Sequence, residues 1–188
     1  ISKTIDRNLE KQVLKSSDGI ITVGKSLKDL FSAKMSGIEN KIEVITNGFD
    51  EDDFAGLTAS TPGRFTISNI GTLSDSYPVI GLVEALNRLR KNGYDFILRF
   101  VGTVSAHQKE LIFSKIDDTN LEFIPYVDHS AAIRYMLETT ILLLVIPDHK
   151  SNKSIITGKI FEYIATGKPF ICLGPEVGDA AEILNQTG

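Results

Sequence analysis

Apolar positions along the 188-residue chain follow two alternating rhythms. One has helical spacing. Ile5, Leu9, Val13 and Leu14 predict a helix over 4–16, and Ile80, Val83, Leu86 and Leu89 predict another over 79–91. The second is a series of short β-rich runs, at 20–23, 41–45, 65–70, 96–101, 121–124, 141–146 and 170–173. Further helices are expected over 27–36, 106–116, 129–138, 157–166 and 178–186. From residue 65 onward, five strand–helix units follow one another. Such alternation predicts an α/β fold, a Rossmann-like parallel sheet with helices on both faces. The run 141–146 is apolar throughout, as expected of a central strand buried on both sides.

Punctuation agrees with these elements. Asp18-Gly19 closes the first helix, and Gly37 closes the second. Ser26, with Asp29 three residues on, is expected to cap that second helix. Asn47-Gly48 marks a turn. Residues 50–63 change character, from the acidic Asp50-Glu51-Asp52-Asp53 to a stretch rich in Gly, Thr, Ser and Pro. This is the expected linker between a short α/β segment, 1–49, and a larger domain, 64–188.

Composition narrows the function classes. With 42% hydrophobic and 23% charged residues, the chain is ordinary for a globular protein and supports a sizeable core. A net charge of −4, with lysines dispersed, argues against nucleic-acid binding. Cys172 is the single cysteine and lies in an apolar run, so it reads as a small buried hydrophobe. No run approaches bilayer-spanning length, and no signal-peptide pattern is seen. A cytoplasmic location is expected, with membrane association left open. A first residue other than Met suggests a fragment. His107, His129 and His149 lack neighbours at ligand spacing, so no metal site is expected and ordinary polar roles are assigned to all three.

Ligands of open parallel sheets bind beyond the carboxyl ends of the strands. Gly71 directly follows a strand there, which suits either close backbone approach to a ligand or simply a turn. Neither the dinucleotide-binding nor the P-loop glycine pattern is present. The loop over 147–157 is long, polar and leads into a helix, whose free amides and dipole favour an anion. Gly158 permits a phosphate to approach, and Lys153 and Lys159 supply positive charge. Glu162, one turn into the helix, can accept from the paired hydroxyls of a ribose or can be a solvated helix-start charge.

The segment Gly158-Lys159-Ile160-Phe161-Glu162-Tyr163-Ile164-Ala165-Thr166-Gly167-Lys168-Pro169 resembles the donor-site helix of GT-B glycosyltransferases of the group 1, retaining type, of form K-x-x-E-Y-x-A-x-G-K-P. Asn47-Gly48-Phe49-Asp50 is similar to the family's interdomain N-G-x-D connection, and Ile70-Gly71-Thr72-Leu73 to its first C-terminal strand and loop. The resemblance implies that 1–49 ends an N-terminal acceptor domain, most of which this chain lacks. It implies that 64–188 is the C-terminal domain binding a UDP- or GDP-sugar, with no other cofactor, and that a glycan or lipid-linked acceptor receives the sugar. Carried over, Glu162 binds the ribose. Amides near Ile155, Ile156, Thr157 and Gly158 hold the pyrophosphate, Ser154 belongs to the donor site, Gly71 and Thr72 lie beside phosphates and sugar, and Tyr126 and Val127 lie near the base. Two departures stand out. Ser154 occupies the place of the first glutamate of the family's pair, and the loop 71–78 carries neither the Arg nor the Lys often found there. Lys159 is therefore the expected catalytic cation, with Lys153 behind it. The isolated chain is expected to bind donor without transferring sugar. The alternatives are a non-catalytic nucleotide-sugar-binding module and a GT-B sugar-nucleotide epimerase. A receiver-like or flavodoxin-like domain is disfavoured, because the strand ends carry Gly71, Gly102, Pro125 and Pro147 in place of an acidic cluster.

Overall fold

The computed structural model of the chain describes residues 2–187. The chain divides into two compact units. One comprises Ile1–Gly48, Lys153–Ile156 and Glu176–Gly188, and the other comprises Phe49–Asn152 and Thr157–Pro175.

The first unit contains α1 (Ser2–Ser16), β1 (Ile20–Thr22), α2 (Lys25–Lys34) and β2 (Ile42–Val44), together with the C-terminal helix α7 (Asp179–Thr187). Strands β1 and β2 pair in parallel, with Ile20 opposite Ile42. A small core forms around Leu14, Ile38 and Ile42.

Helix α2 starts differently from expectation. Its N-cap is Gly24, which offers no side-chain cap. Ser26 lies inside the first turn, and the buried carboxylate of Asp179 takes the capping role from another helix. Its Oδ1 accepts from the Ser26 amide at 3.0 Å and from the Ser26 hydroxyl at 2.9 Å. A full negative charge at a helix N-terminus outcompetes a neutral hydroxyl for the free amides.

The second unit is built on β3 (Thr66–Ile70), β4 (Ile97–Val101), β5 (Leu121–Ile124), β6 (Ile141–Val145) and β7 (Phe170–Leu173). Their order is β5-β4-β3-β6-β7, and all pair in parallel. Helices α3 (Ile80–Lys91), α4 (Ala106–Phe113), α5 (His129–Leu137) and α6 (Gly158–Ala165) supply the crossovers. The α/β alternation expected from the sequence is thus the observed architecture. Val83 and Leu86 of α3, Ile112 of α4, and Leu98, Phe100 and Leu143 of the sheet form the main core.

The first strand of the sheet, β3, is buried at every position although it carries Thr66, Ser68 and Asn69. Each of these side chains makes a hydrogen bond, although Asn69 Oδ1 is left without a partner. Thr66 Oγ1 donates to the Arg64 carbonyl at 2.9 Å and the Thr66 amide donates to Thr140 Oγ1 at 3.0 Å, Ser68 Oγ meets Thr139 Oγ1, and Asn69 Nδ2 donates to the Leu143 carbonyl at 2.9 Å.

Candidate functional site

The sheet has one point where strand order reverses. From β3, the chain continues to β4 on one side and later returns to β6 on the other. Crevices beyond the carboxyl ends of strands at such points are the usual ligand sites of open α/β sheets. The β3–β6 ladder covers only Ile67–Ile141 and Ser68–Leu142. Beyond it, side chains bridge the two strands. Asn69 makes one such link, and Tyr163 of α6 makes the other. The Tyr163 hydroxyl accepts from the Ile70 amide at 3.1 Å and donates to the Leu143 carbonyl at 3.5 Å. Tyr163 is fully buried, and burial pushes its phenol pKa well above the ordinary tyrosine range.

This anchoring orients α6. Ile160 and Tyr163 face the core, so Lys159 and Glu162, three positions apart, share a neighbouring face. The Lys159 ammonium is 3.9 Å from Glu162 Oε2. The Glu162 side chain is only 21% exposed, and Oε2 has no hydrogen-bond partner. Thr157, the N-cap of α6, makes no side-chain cap, and its buried Oγ1 also has no partner. The helix therefore opens with polar groups not satisfied by its own cap.

The stem of Lys159 runs over Gly71. Gly71 has φ +131°, and a Cβ placed on it would lie 2.6 Å from Lys159 Cε. The space opened by this glycine is taken by the lysine stem. Gly102, with φ +123°, packs in turn on Gly71, where an added Cβ would lie 2.5 Å from the Gly71 carbonyl oxygen. The loops after β3 and β4 are laced together. The Leu73 amide donates to Thr103, and the Ser105 amide donates to Leu73. Buried Gln108 holds the carbonyls of Ser74 and Tyr77 at 3.1 and 2.9 Å.

A cavity of about 170 Å³ lies at these strand ends. Gly71 and Lys159 border it, as do Tyr126 and Val127 from the loop after β5. Thr72 is exposed beside Gly71. His129, the first residue of α5, also lines the cavity, and its Nε2 is 2.7 Å from Asp53 Oδ2. Asp128 caps the same helix by accepting from the Ala131 amide at 2.7 Å. That bond and the Ser130 hydroxyl lower its carboxyl pKa.

Of the residues singled out in the sequence, Gly71, Tyr126, Val127 and Lys159 border this one cavity, with Glu162 beside Lys159. Thr157 and Gly158 form the start of α6. Ser154, Ile155, Ile156 and Lys153 fall in the other unit. There Ile156 borders a cavity of about 100 Å³ beside Gly24, Asp179 and Glu182. The helix terminus in that cavity is already occupied by Asp179, so it offers no free anion site. His149 turns back on its own loop, accepting from the Ser151 amide at 3.2 Å. Cys172 is half-buried, which raises its thiol pKa. Tyr163, His129 and Asp53 are not among the site residues expected from sequence. The signal for Tyr163 was a tyrosine on the apolar face of a short helix. His129 and Asp53 are 76 positions apart and give no local signal.

No protein-family model and no curated protein matches the chain by sequence. Solved structures do match. The chain is similar to HepE of Anabaena in complex with UDP and glucose, with TM-score 0.67 and 16% identity, covering 97% of this chain and 51% of that one. It is similar to the lipopolysaccharide outer core galactosyltransferase WaaB in its apo form, with TM-score 0.60 and 12% identity, covering 92% and 51%. It is also similar to the C-terminal domain of LpcC, a group 1 family glycosyl transferase from Francisella tularensis, with TM-score 0.52 and 15% identity, covering 74% and 85%. The chain spans about half the length of HepE and WaaB. Its five-stranded sheet and flanking helices have the Rossmann-like fold of the C-terminal domain of GT-B glycosyltransferases.

Proposed function

We propose that this chain is the donor-binding portion of a glycosyltransferase of the group 1, retaining type, taking a UDP- or GDP-sugar. The observation that carries the reading is the placing of Lys159 and Glu162 on one face of α6, with Tyr163 fixing that helix at the switch point of the sheet. The UDP bound in the similar HepE structures supports it.

The diphosphate is assigned to the start of α6, where the amides from Thr157 to Lys159 and the helix dipole favour negative charge. Lys159 neutralises charge that develops on the departing diphosphate, a role that grows in importance because the loop after β3 carries no cation. Glu162 accepts from the ribose hydroxyls through its carboxylate, whose Oε2 has no hydrogen-bond partner and only the Lys159 ammonium at 3.9 Å. Gly71 and Thr72 lie beside the phosphates and sugar, and Tyr126 and Val127 lie near the base.

The glycan or lipid-linked acceptor belongs to an N-terminal α/β domain of which residues 1–49 are the last part. The strand β1 and helix α1 leave Ile21, Val13, Leu9 and Ile5 more than half exposed, an apolar surface suited to further layers of such a domain. On this reading the chain alone binds donor and does not transfer sugar.

Calorimetric titration with UDP, GDP and ADP, repeated on Glu162→Ala, tests the proposal. Binding of UDP or GDP that is lost or strongly weakened in the variant is the expected result. Absence of binding to all three by the unaltered chain overturns the donor assignment. Ser154, in place of the family's first glutamate, favours a second reading, a binding module without catalysis. A longer protein that binds the nucleotide normally but turns over no donor would select that one.

A further inference from the structure

We propose that His129 reads the nucleobase by accepting a hydrogen bond, and so selects bases with a ring N–H on the pairing edge, uracil or guanine, over cytosine or adenine. The inference rests on the nucleotide-binding reading above and names a residue that decides which nucleotide enters.

The argument starts from Asp53. An ionised carboxylate can only accept hydrogen bonds. At 2.7 Å from Asp53 Oδ2, His129 Nε2 must therefore carry the proton and donate it. In a neutral imidazole with Nε2 protonated, Nδ1 holds a lone pair and is an acceptor. The tautomer is set by Asp53, which makes Asp53 a positioning residue, and His129 is the one of the pair that lines the cavity.

Both partners are held in place. Asp53 lies in a single turn of 3₁₀ helix, Glu51–Phe54, capped by Asp50 Oδ1, which accepts from the Asp52 amide at 3.0 Å. Phe54 packs edge-on against Phe49, with ring centroids 5.8 Å apart. His129 opens α5 directly after the Asp128 cap, so its backbone is fixed as well.

The surroundings leave the choice to this ring. The cavity that His129 lines is the one bordered by Lys159 and Gly71, so a phosphate at Lys159 puts its nucleoside within the same space. Around His129 the walls are Val127 and Ala132, which carry no competing side-chain donor or acceptor, and Tyr126, which is 83% exposed with its ring free to meet a base. Uracil N3 and guanine N1 carry hydrogen, whereas the corresponding nitrogens of cytosine and adenine carry lone pairs. Facing Nδ1, the first pair gains a bond, and the second leaves two acceptors opposed.

Titration of the chain with UDP, CDP, GDP and ADP gives the primary test. UDP over CDP, or GDP over ADP, by about tenfold or more is expected, the effect of one hydrogen bond and its mismatch. In His129→Ala the ratio should fall to about twofold or less, while affinity for inorganic pyrophosphate stays unchanged. Nitrogen chemical shifts of His129 in the unaltered protein supply a measurement that needs no variant. Nδ1 should be unprotonated and should shift on adding UDP. Equal binding of UDP and CDP, an undiminished ratio in His129→Ala, or a protonated Nδ1 would each overturn the assignment while leaving the donor site standing. If the unaltered protein binds no nucleotide, the donor reading itself falls, and this inference falls with it.

Discussion

The Tyr163 hydroxyl accepts a hydrogen bond from the backbone N–H of Ile70 at 3.1 Å. A side chain from α6 thereby completes a strand seam that the β3–β6 ladder leaves open. The contact ties the helix bearing Lys159 and Glu162 to the strand ending at Gly71. Position in the sheet and position in the site are coupled through one phenol.

Replacing Tyr163 with Phe keeps the ring and removes that acceptor. The Ile70 amide is then buried without a partner, at a cost of about 1–3 kcal/mol. A fall in melting temperature of roughly 2–4 °C per kcal/mol is expected for a chain of this size. Unchanged stability in a denaturant titration of Tyr163→Phe would show that the hydroxyl is not holding the seam.

The same phenol shapes the alkaline limb of stability. Burial raises its pKa in the folded state above the ordinary value of about 10. Above that ordinary value the unfolded chain releases the proton while the folded chain keeps it, so the folded state binds more protons and stability falls as pH rises. The contribution is fully present below about pH 10 and is lost progressively toward the folded-state value. Unfolding free energies measured across this range should fall less steeply in Tyr163→Phe than in the unaltered protein. Parallel curves would exclude Tyr163 as the source.

Gly71→Ala tests the packing of Lys159. The backbone at φ +131° disfavours any side chain, by about 1–3 kcal/mol. The added methyl would also displace the lysine stem, with Cε at 2.6 Å from the new carbon. Nucleoside diphosphate affinity should therefore fall, in the same sense as in Lys159→Met, where loss of a charge-assisted contact is worth about tenfold or more. Uridine, which has no phosphate, should bind both variants as it binds the parent. A Gly71→Ala protein that folds and keeps full UDP affinity would separate the glycine from the function of Lys159.

The β-α alternation made the sheet legible from sequence because periodicity reports burial, and burial decides the elements. Boundaries agree within a few residues; the expected strand over 141–146 is observed as Ile141–Val145, for instance. What periodicity does not carry is the identity of distant polar partners. Thr66, Ser68 and Asn69 in β3 are intelligible only once Thr139, Thr140 and the Leu143 carbonyl are placed beside them. Ser26 has the local signature of a cap, and a carboxylate 153 positions away displaced it. The packing of 153–156 and 176–187 with the N-terminal elements likewise leaves no trace in local pattern. At the site, the strand-end rule points to Gly71, the long polar loop and helix start to Lys159 and Glu162, and the family resemblance to Tyr126 and Val127. The link between Asp53 and His129 required the fold.

Asp179 and Gly24 offer a last test, of how the C-terminal helix is held within its unit. Asp179 is 5% exposed and satisfies both the amide and the hydroxyl of Ser26. It fits only because Gly24 has no side chain: a Cβ there would run into Asp179 Oδ2 and lie 2.8 Å from its Cγ. The Gly24 backbone is extended, at φ −156°, and any residue can adopt it. The cost of Gly24→Ala is therefore steric and should depend on what occupies the neighbouring space. Asp179→Ala is expected to lower stability by about 1–3 kcal/mol through lost hydrogen bonds to a helix terminus. In that background the carboxylate is gone, and Gly24→Ala should cost less than in the parent by about 1 kcal/mol or more, the non-additivity expected of residues in contact. Urea titrations of the four proteins measure it directly. If Gly24→Ala costs the same in both backgrounds, the glycine is not there to admit Asp179, and the anchoring of α7 must be sought in its apolar face.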